Sequence, residues 1–307
     1  MKHSRTAMWG ATSVVAAIAV VAFVLFLLPD NTTKPDQLDS SEIDLSSETQ
    51  RFAQQMSAET GYTKPSPADR ATIGDGVRQA LDGNPLDAKK VLTSVGYTLA
   101  KRVDTATHRT FYEVSDSTSR PRGWGRILID TTGAARLGIE VPHPKADQDS
   151  EKLGVDLFQR VPGSVLVIAG AHRRAAPDKQ ADMAHTNESV FETVHEILAQ
   201  RKLPVMQLHG FRNETAPDSD VVISAGPALH SPYVDRIAQR LKEAGLSVCE
   251  PWVTGCEGLE ATTNVQAQWI TAHGGDFAHV EVSHDARSTA ELSDRVVSVL
   301  AQQAVGR

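Results

Sequence analysis

Ile139-Glu140-Val141-Pro142-His143-Pro144-Lys145-Ala146-Asp147-Gln148-Asp149-Ser150-Glu151-Lys152-Leu153-Gly154 is the stretch on which the reading of this chain turns. A short apolar run ends in a loop bracketed by two prolines, and a helical pattern begins beyond it. The loop carries His143, and the carboxylates Asp147 and Glu151 follow it at four and eight residues. An imidazole with a carboxylate a few residues on is what a divalent-metal site needs from one loop. The pattern returns later: an apolar run ends at His209 in Gln207-Leu208-His209-Gly210-Phe211, and another carries Glu281 in Ala278-His279-Val280-Glu281-Val282-Ser283.

Outward from that stretch, strand and helix patterns alternate from about residue 136 to the C-terminus. Apolar strands are expected at 164–168, 221–224 and 246–249 besides those named. Helices follow the opening loop, Asn187, the Ser231-Pro232 pair and the Ser288-Thr289-Ala290-Glu291 capping box. Such alternation predicts an α/β fold, with a mainly parallel or mixed sheet covered by helices on both faces. Ligands bind such sheets outside the carboxyl ends of the strands, where His172, His209 and the residues after Glu281 all fall.

Upstream, residues 51–135 read as a small α+β domain. Helical spacing recurs through Ile73, Val77, Ala80 and Leu81, and the period then changes to two at 97–103, 110–114 and 125–130. His108 sits in a polar turn there and reads as structural. Residues 31–50, rich in Asp, Ser and Thr, read as a disordered stalk. Residues 11–28 carry no charge and just suffice to span a bilayer as a helix; the run ends in Leu-Leu-Pro-Asp-Asn, without a small-x-small cleavage site. Lys2 and Arg5 precede it and several acids follow. The expected topology is therefore a single-pass cell-membrane anchor within residues 1–30, N-terminus cytoplasmic, with residues 136–307 as an extracellular domain.

The 307 residues carry a formal net charge of -7 and no basic block in the folded part, so a nucleic-acid backbone is not an expected partner. The two cysteines, Cys249 and Cys256, lack the spacing of a zinc ribbon. In an exported domain they are expected to form a disulfide, because seven positions that include Pro251 and Gly255 give room to turn back. A Gly-x-Ser-x-Gly elbow and a phosphate-binding glycine loop are both missing, which argues against a serine hydrolase of that class and against a nucleotide enzyme.

With His143, His209 and either Asp147 or Glu151 as ligands, two imidazoles and one carboxylate would leave a position of one Zn2+ open to water. Asp147, still in the loop, can swing toward the ion; Glu151 can equally be a helix-start acid favoured by the dipole. Glu281 is the candidate general base. His172 and Arg173 follow a buried strand, and Asp182 and His185 precede a helix. They read either as a pocket in which Arg173 receives a substrate carboxylate, or as a solvated basic loop. Asn264, with Gln266 close by, reads as a pocket residue or as a helix cap. His195 lacks the second histidine of a His-Glu-x-x-His helix and reads as structural.

Taken together, Val-Pro-His-Pro…Asp…Ser-Glu, Gln-Leu-His-Gly-Phe and Val-Glu-Val-Ser…Arg resemble the zinc carboxypeptidase-like superfamily, in particular its N-formylglutamate amidohydrolase and phage-type poly-γ-glutamate hydrolase branches. The resemblance covers about residues 136–307. It implies an α/β hydrolase with one zinc that cleaves an amide bond next to a carboxylate. It also implies that His143, an acid at 147 or 151 and His209 are ligands, that Glu281 is the base, and that Arg287 is the late arginine of the site. The His-x-x-Glu spacing of true carboxypeptidases is absent, since residue 146 is alanine. The function expected is a membrane-anchored, extracellular zinc amidohydrolase or peptidase acting on a small molecule or peptide that bears a carboxylate. The rival is a surface protein that keeps the fold and only binds a ligand.

Overall fold

The computed structural model describes residues 40–119 and 121–305, with Met1 and Leu38. The apolar run expected to anchor the chain lies outside the described residues. Among those described, no helix is long and apolar enough to cross a membrane.

The strands are β1 Ser40–Ile43, β2 Tyr97–Asp104, β3 Thr110–Asp116, β4 Arg126–Asp130, β5 Leu137–Val141, β6 Ser164–Ile168, β7 Val205–Phe211, β8 Val221–Ser224, β9 Val248–Cys249 and β10 Phe277–Ser283. They form one sheet in the order β1-β2-β3-β4-β6-β5-β7-β10-β8-β9. Its centre, β6-β5-β7-β10, is parallel; β8 runs antiparallel to β10, and β2, β3 and β4 form an antiparallel meander on the other flank. The sheet is mixed, as the sequence allowed.

The helices are α1 Leu45–Gln54, α2 Pro67–Leu81, α3 Pro85–Thr93, α4 Ser150–Arg160, α5 Val190–Gln200, α6 Pro232–Glu243, α7 Val265–His273, α8 His284–Ser288 and α9 Ala290–Val305. They cover both faces. Residues of α1, α4, α6 and α9 share one apolar core with Ile139, Leu208 and Val280. Residues of α2, α3, α5 and α7 share the other with Ile127, Val165 and Phe277. Gly154 lets α4 lie close on the sheet, since a Cβ there would stand 2.6 Å from a Val141 methyl.

Three expectations need correction. The expected boundary near residue 135 does not separate two sheets. β4 pairs antiparallel with β6, Ile127 opposite Val167, so the meander continues the central sheet, and residues from Leu38 onward form one compact unit. The expected stalk, 31–50, overlaps ordered structure: β1 pairs parallel with β2, and Asp44 caps α1 by accepting from the Ser47 N–H at 2.9 Å. Leu45 supplies the burial that the polar composition hid, being fully enclosed in the first core. Ser189, not Asn187, caps α5, accepting from the Glu192 N–H at 3.0 Å.

Ser231 caps α6, with Pro232 at its first position, as read from the sequence. Cys249 and Cys256 are joined in a disulfide with their Cα atoms 6.0 Å apart. Cys256 packs with Phe211, Ala216 and Val222 in a small cluster at the end of β7.

Candidate metal centre

The loop after β5 folds back on itself. The Asp147 N–H donates to the His143 carbonyl at 2.9 Å and the Ser150 N–H to the Asp147 carbonyl at 3.0 Å, with Asp149 left-handed at φ 66° just before α4. That turn places the Asp147 carboxylate against His143. On β7, whose Gly138-to-Val205 pairing sets it beside β5, His209 points to the same place. His143 Nδ1 lies 3.1 Å and His209 Nδ1 3.0 Å from the same oxygen, Asp147 Oδ2, and all three residues are buried. The ligand atoms of the trio fall within 4.8 Å of one another.

Each imidazole is held from behind. His143 Nε2 donates to Asp182 Oδ1 at 2.8 Å, and a carboxylate partner there leaves Nδ1 as the nitrogen that faces Asp147. Burial would lower the His143 pKa, but the Asp147 carboxylate outweighs it and raises it to about 9. The same pairing, joined by His209, holds the Asp147 carboxyl far below its usual range against the effect of burial. The pocket is thus arranged around one positive charge: a proton on His143 Nδ1, or a cation that replaces it. Two buried imidazole nitrogens converging on one carboxylate oxygen is a donor set that suits a divalent transition metal.

Beside the trio, β10 runs parallel to β7 with Glu281 opposite His209. Burial, and then the Asp147 charge, push the Glu281 carboxyl up to about 8, and its Oε2 is buried without a hydrogen-bond partner. His279, two residues back on the same face, lies tilted against His209 with ring centroids 4.5 Å apart. Burial keeps it neutral by pulling its pKa well below the usual value, and its Nδ1 also lacks a partner. His209, His279 and Glu281 form a second set of converging ligand atoms. The sequence reading passed over His279, although a polar residue at every second position of a buried strand is a visible signal.

The remaining candidates sort themselves by contact. Asp182 was read as lining a pocket, yet its carboxylate is fully engaged. Oδ1 meets His143 and His185, and Oδ2 takes Arg173 Nε at 3.1 Å and Nη2 at 2.6 Å. It therefore orients its neighbours. Arg173 is about one-third exposed. His185 also meets Thr263 Oγ1 at 3.3 Å. His172 accepts from the Arg174 N–H at 3.1 Å and stands outside the cluster. Glu151 begins α4, where burial pushes its carboxyl up to about 7, and it is not among the converging ligand atoms; Asp147 is. Asn264 was read as substrate-binding, but it is buried, caps α7 through the Ala267 N–H and gives its amide to Gln207. Arg287, read as a site arginine, donates Nε to the Gln148 carbonyl at 2.6 Å and Nη1 to the Phe211 and Val282 carbonyls. It clamps the loop after β5 to the ends of β7 and β10. Gly210 makes room for it, since a Cβ there would lie 2.3 Å from the guanidinium carbon. His195 is structural as expected, bonded to Glu140 at 2.8 Å and stacked edge-on against Trp269 and Phe277.

A separate cavity of about 560 Å³ opens between α1 and the β3–β4 pair, lined by Phe52, Met56, Trp124 and Arg126 among others; the metal-ligand trio is not part of it.

No protein-family model matches the chain, and no curated protein matches it. Solved structures do. One is a gene product of Agrobacterium tumefaciens, 14% identical, covering 57% of this chain and 90% of that one with a TM-score of 0.41. Another is a bacteriophage poly-γ-glutamate hydrolase, 11% identical, covering 58% and 87% with a TM-score of 0.39. A third is a metallo-carboxypeptidase of Burkholderia cenocepacia, 11% identical, covering 74% and 67% with a TM-score of 0.36. All three relationships are distant.

Proposed function

We propose that this chain is a zinc-dependent amidohydrolase or peptidase. The observation that carries the reading is the convergence of His143 Nδ1, His209 Nδ1 and Asp147 Oδ2 in a buried pocket, with the Glu281 carboxyl beside them. His143, Asp147 and His209 would hold the ion. When bound, it would lower the pKa of a water and polarise a carbonyl. Glu281 accepts a proton from the attacking water and delivers it to the leaving amine. A cation on the trio would offset the Asp147 charge that helps raise the Glu281 pKa, and so favour the ionised base. Asp182 fixes the His143 ring and the Arg173 guanidinium in one stroke. Arg173, held through Nε and Nη2 and about one-third exposed, is the group to receive a carboxylate, so the substrate class is an amide with a carboxylate nearby: an N-acyl amino acid, a γ-glutamyl peptide or a cell-wall peptide. The charge-free run at 11–28 and the disulfide fit a membrane-anchored protein with this domain outside the cell.

The test is metal analysis of the purified full chain with hydrolysis assayed on N-acyl amino acids and γ-glutamyl peptides. Stoichiometric zinc is expected in the wild type and in Glu151→Ala, and its loss in His143→Ala, His209→Ala and Asp147→Ala. Full zinc in the two histidine variants would overturn the site.

A further inference from the structure

We infer that Gln207 is a positioning residue that decides which nitrogen of His209 carries the proton, and that the main chain of α7 dictates its orientation. Three side-chain amides lie in series behind His209, and their polarity can be read from the main chain outward.

Asn264 Oδ1 accepts from the Ala267 N–H at 2.9 Å, a donor that cannot reverse. Its other end is therefore the NH2 group, which donates to Gln207 Oε1 at 2.6 Å. Gln266 is fixed from its own side: its Nε2 donates to the Met183 carbonyl at 2.9 Å and to Glu192 at 2.6 Å. Its Oε1 is thus left facing Gln207 Nε2 at 3.1 Å. The Glu140 carboxylate takes the second hydrogen of that Nε2 at 2.9 Å. Turning the Gln207 amide over would set NH2 against NH2 at Asn264 and oxygen against oxygen at Gln266 and Glu140, all in a fully buried place. Gln207 Oε1 is therefore the atom 2.9 Å from His209 Nε2, and that nitrogen must be the donor.

Nε2 thus holds a proton whether or not the ring is charged, and Nδ1, which donates to the Asp147 carboxylate at 3.0 Å, is the nitrogen left to give up its proton to a cation. The two imidazoles of the trio keep their Nε2 proton by different means: His143 is backed by a carboxylate, His209 by an amide two residues away on its own strand whose direction is set from α7. The consequence for zinc rests on the proposed function; the tautomer itself does not.

Two variants test it on the full chain, labelled with 15N at histidine. Asn264→Asp keeps the acceptor that caps α7 but offers Gln207 a second oxygen in place of NH2. Gln207→Met removes the amide and keeps much of the volume. In the wild type, imidazole 15N spectra should show His209 Nε2 protonated, whatever the state of Nδ1, with His209→Ala identifying the signal. In Asn264→Asp that signature should be lost or mixed, and zinc affinity by chelator competition should fall about ten- to hundred-fold at an unchanged fold. Should Asn264→Asp fail to fold, the same changes in Gln207→Met support the inference. A His209 ring bare at Nε2 in the wild type, or an unchanged signature in a folded variant, overturns it. A wild type that shows the expected tautomer but binds no zinc leaves this inference standing and sinks the metal reading alone.

Discussion

On one side of β5, β7 and β10 stand Ile139, Val141, Leu208, Val280 and Val282, packed under α4, α6 and α9. On the other side of the same strands stand Glu140, Gln207, His209, His279 and Glu281, just as buried. Alternation along a strand divides the two sets, and their energetics are opposite. A buried Leu, Ile or Val stabilises by about 1.5–3 kcal/mol. A buried polar group costs free energy unless every donor and acceptor is met. Most are met here, but His279 Nδ1 and Glu281 Oε2 are not. The comparison teaches that one face is apolar along these strands, while the other, apolar at Val205 and Phe277, gives up part of that stability to polar groups further along.

The sharpest way to break this division is Glu281→Gln, which keeps shape and removes the proton acceptor. Turnover should drop by about two to four orders of magnitude with zinc retained and the melting temperature unchanged or higher. A variant that melts lower yet turns over normally would assign Glu281 to the scaffold. The complementary change is Leu208→Ala, one residue from the proposed ligand but on the opposite face. It should cost about 2–5 kcal/mol in denaturant unfolding while leaving zinc stoichiometry intact. Loss of zinc from a folded Leu208→Ala chain would show that the faces are not independent.

A smaller effect tests how far the polar face extends. Burial pushes the Glu192 carboxyl, which meets Gln266, up to about 7 from an unfolded value near 4.5. Between those values the folded chain holds a proton that the unfolded chain has released. This group's contribution to stability therefore falls as pH rises through the window and is level above it. Glu192→Gln, which cannot titrate, should flatten the stability profile there by on the order of 3 kcal/mol relative to wild type. Parallel profiles for the two proteins would show that Glu192 is not strained by burial.

How much of this was legible in the sequence follows the same division. The strand–loop–helix around His143 and the strands carrying His209 and Glu281 were read correctly because their signals are local, a period and a proline pair, although β7 runs past His209 to Phe211. Asp147 and Glu151 could not be separated, since only the folded-back loop decides which carboxylate meets His143. Asp182 stood out as an acid before a helix, but its bond to a ring 39 residues away is invisible in one dimension. The division at residue 135 failed because the β4–β6 pairing joins segments some 40 residues apart and leaves no local mark. β1 was missed because Ser40-Ser41-Glu42-Ile43 has one apolar residue to announce it.

That inconspicuous strand has a consequence for anyone who shortens the chain. β1 is four residues long and β9 two, so a ten-stranded sheet ends on both sides in brief, polar or half-covered edges. Short and charged rims discourage sheets from adding to one another. A truncation that starts after Ile43 would peel off that rim and bare the β2 backbone from Lys101 to Asp104, leaving the whole eight-residue edge of that strand open. A fragment begun at residue 38 keeps its guard against self-association; one begun at residue 44 offers neighbouring copies a template.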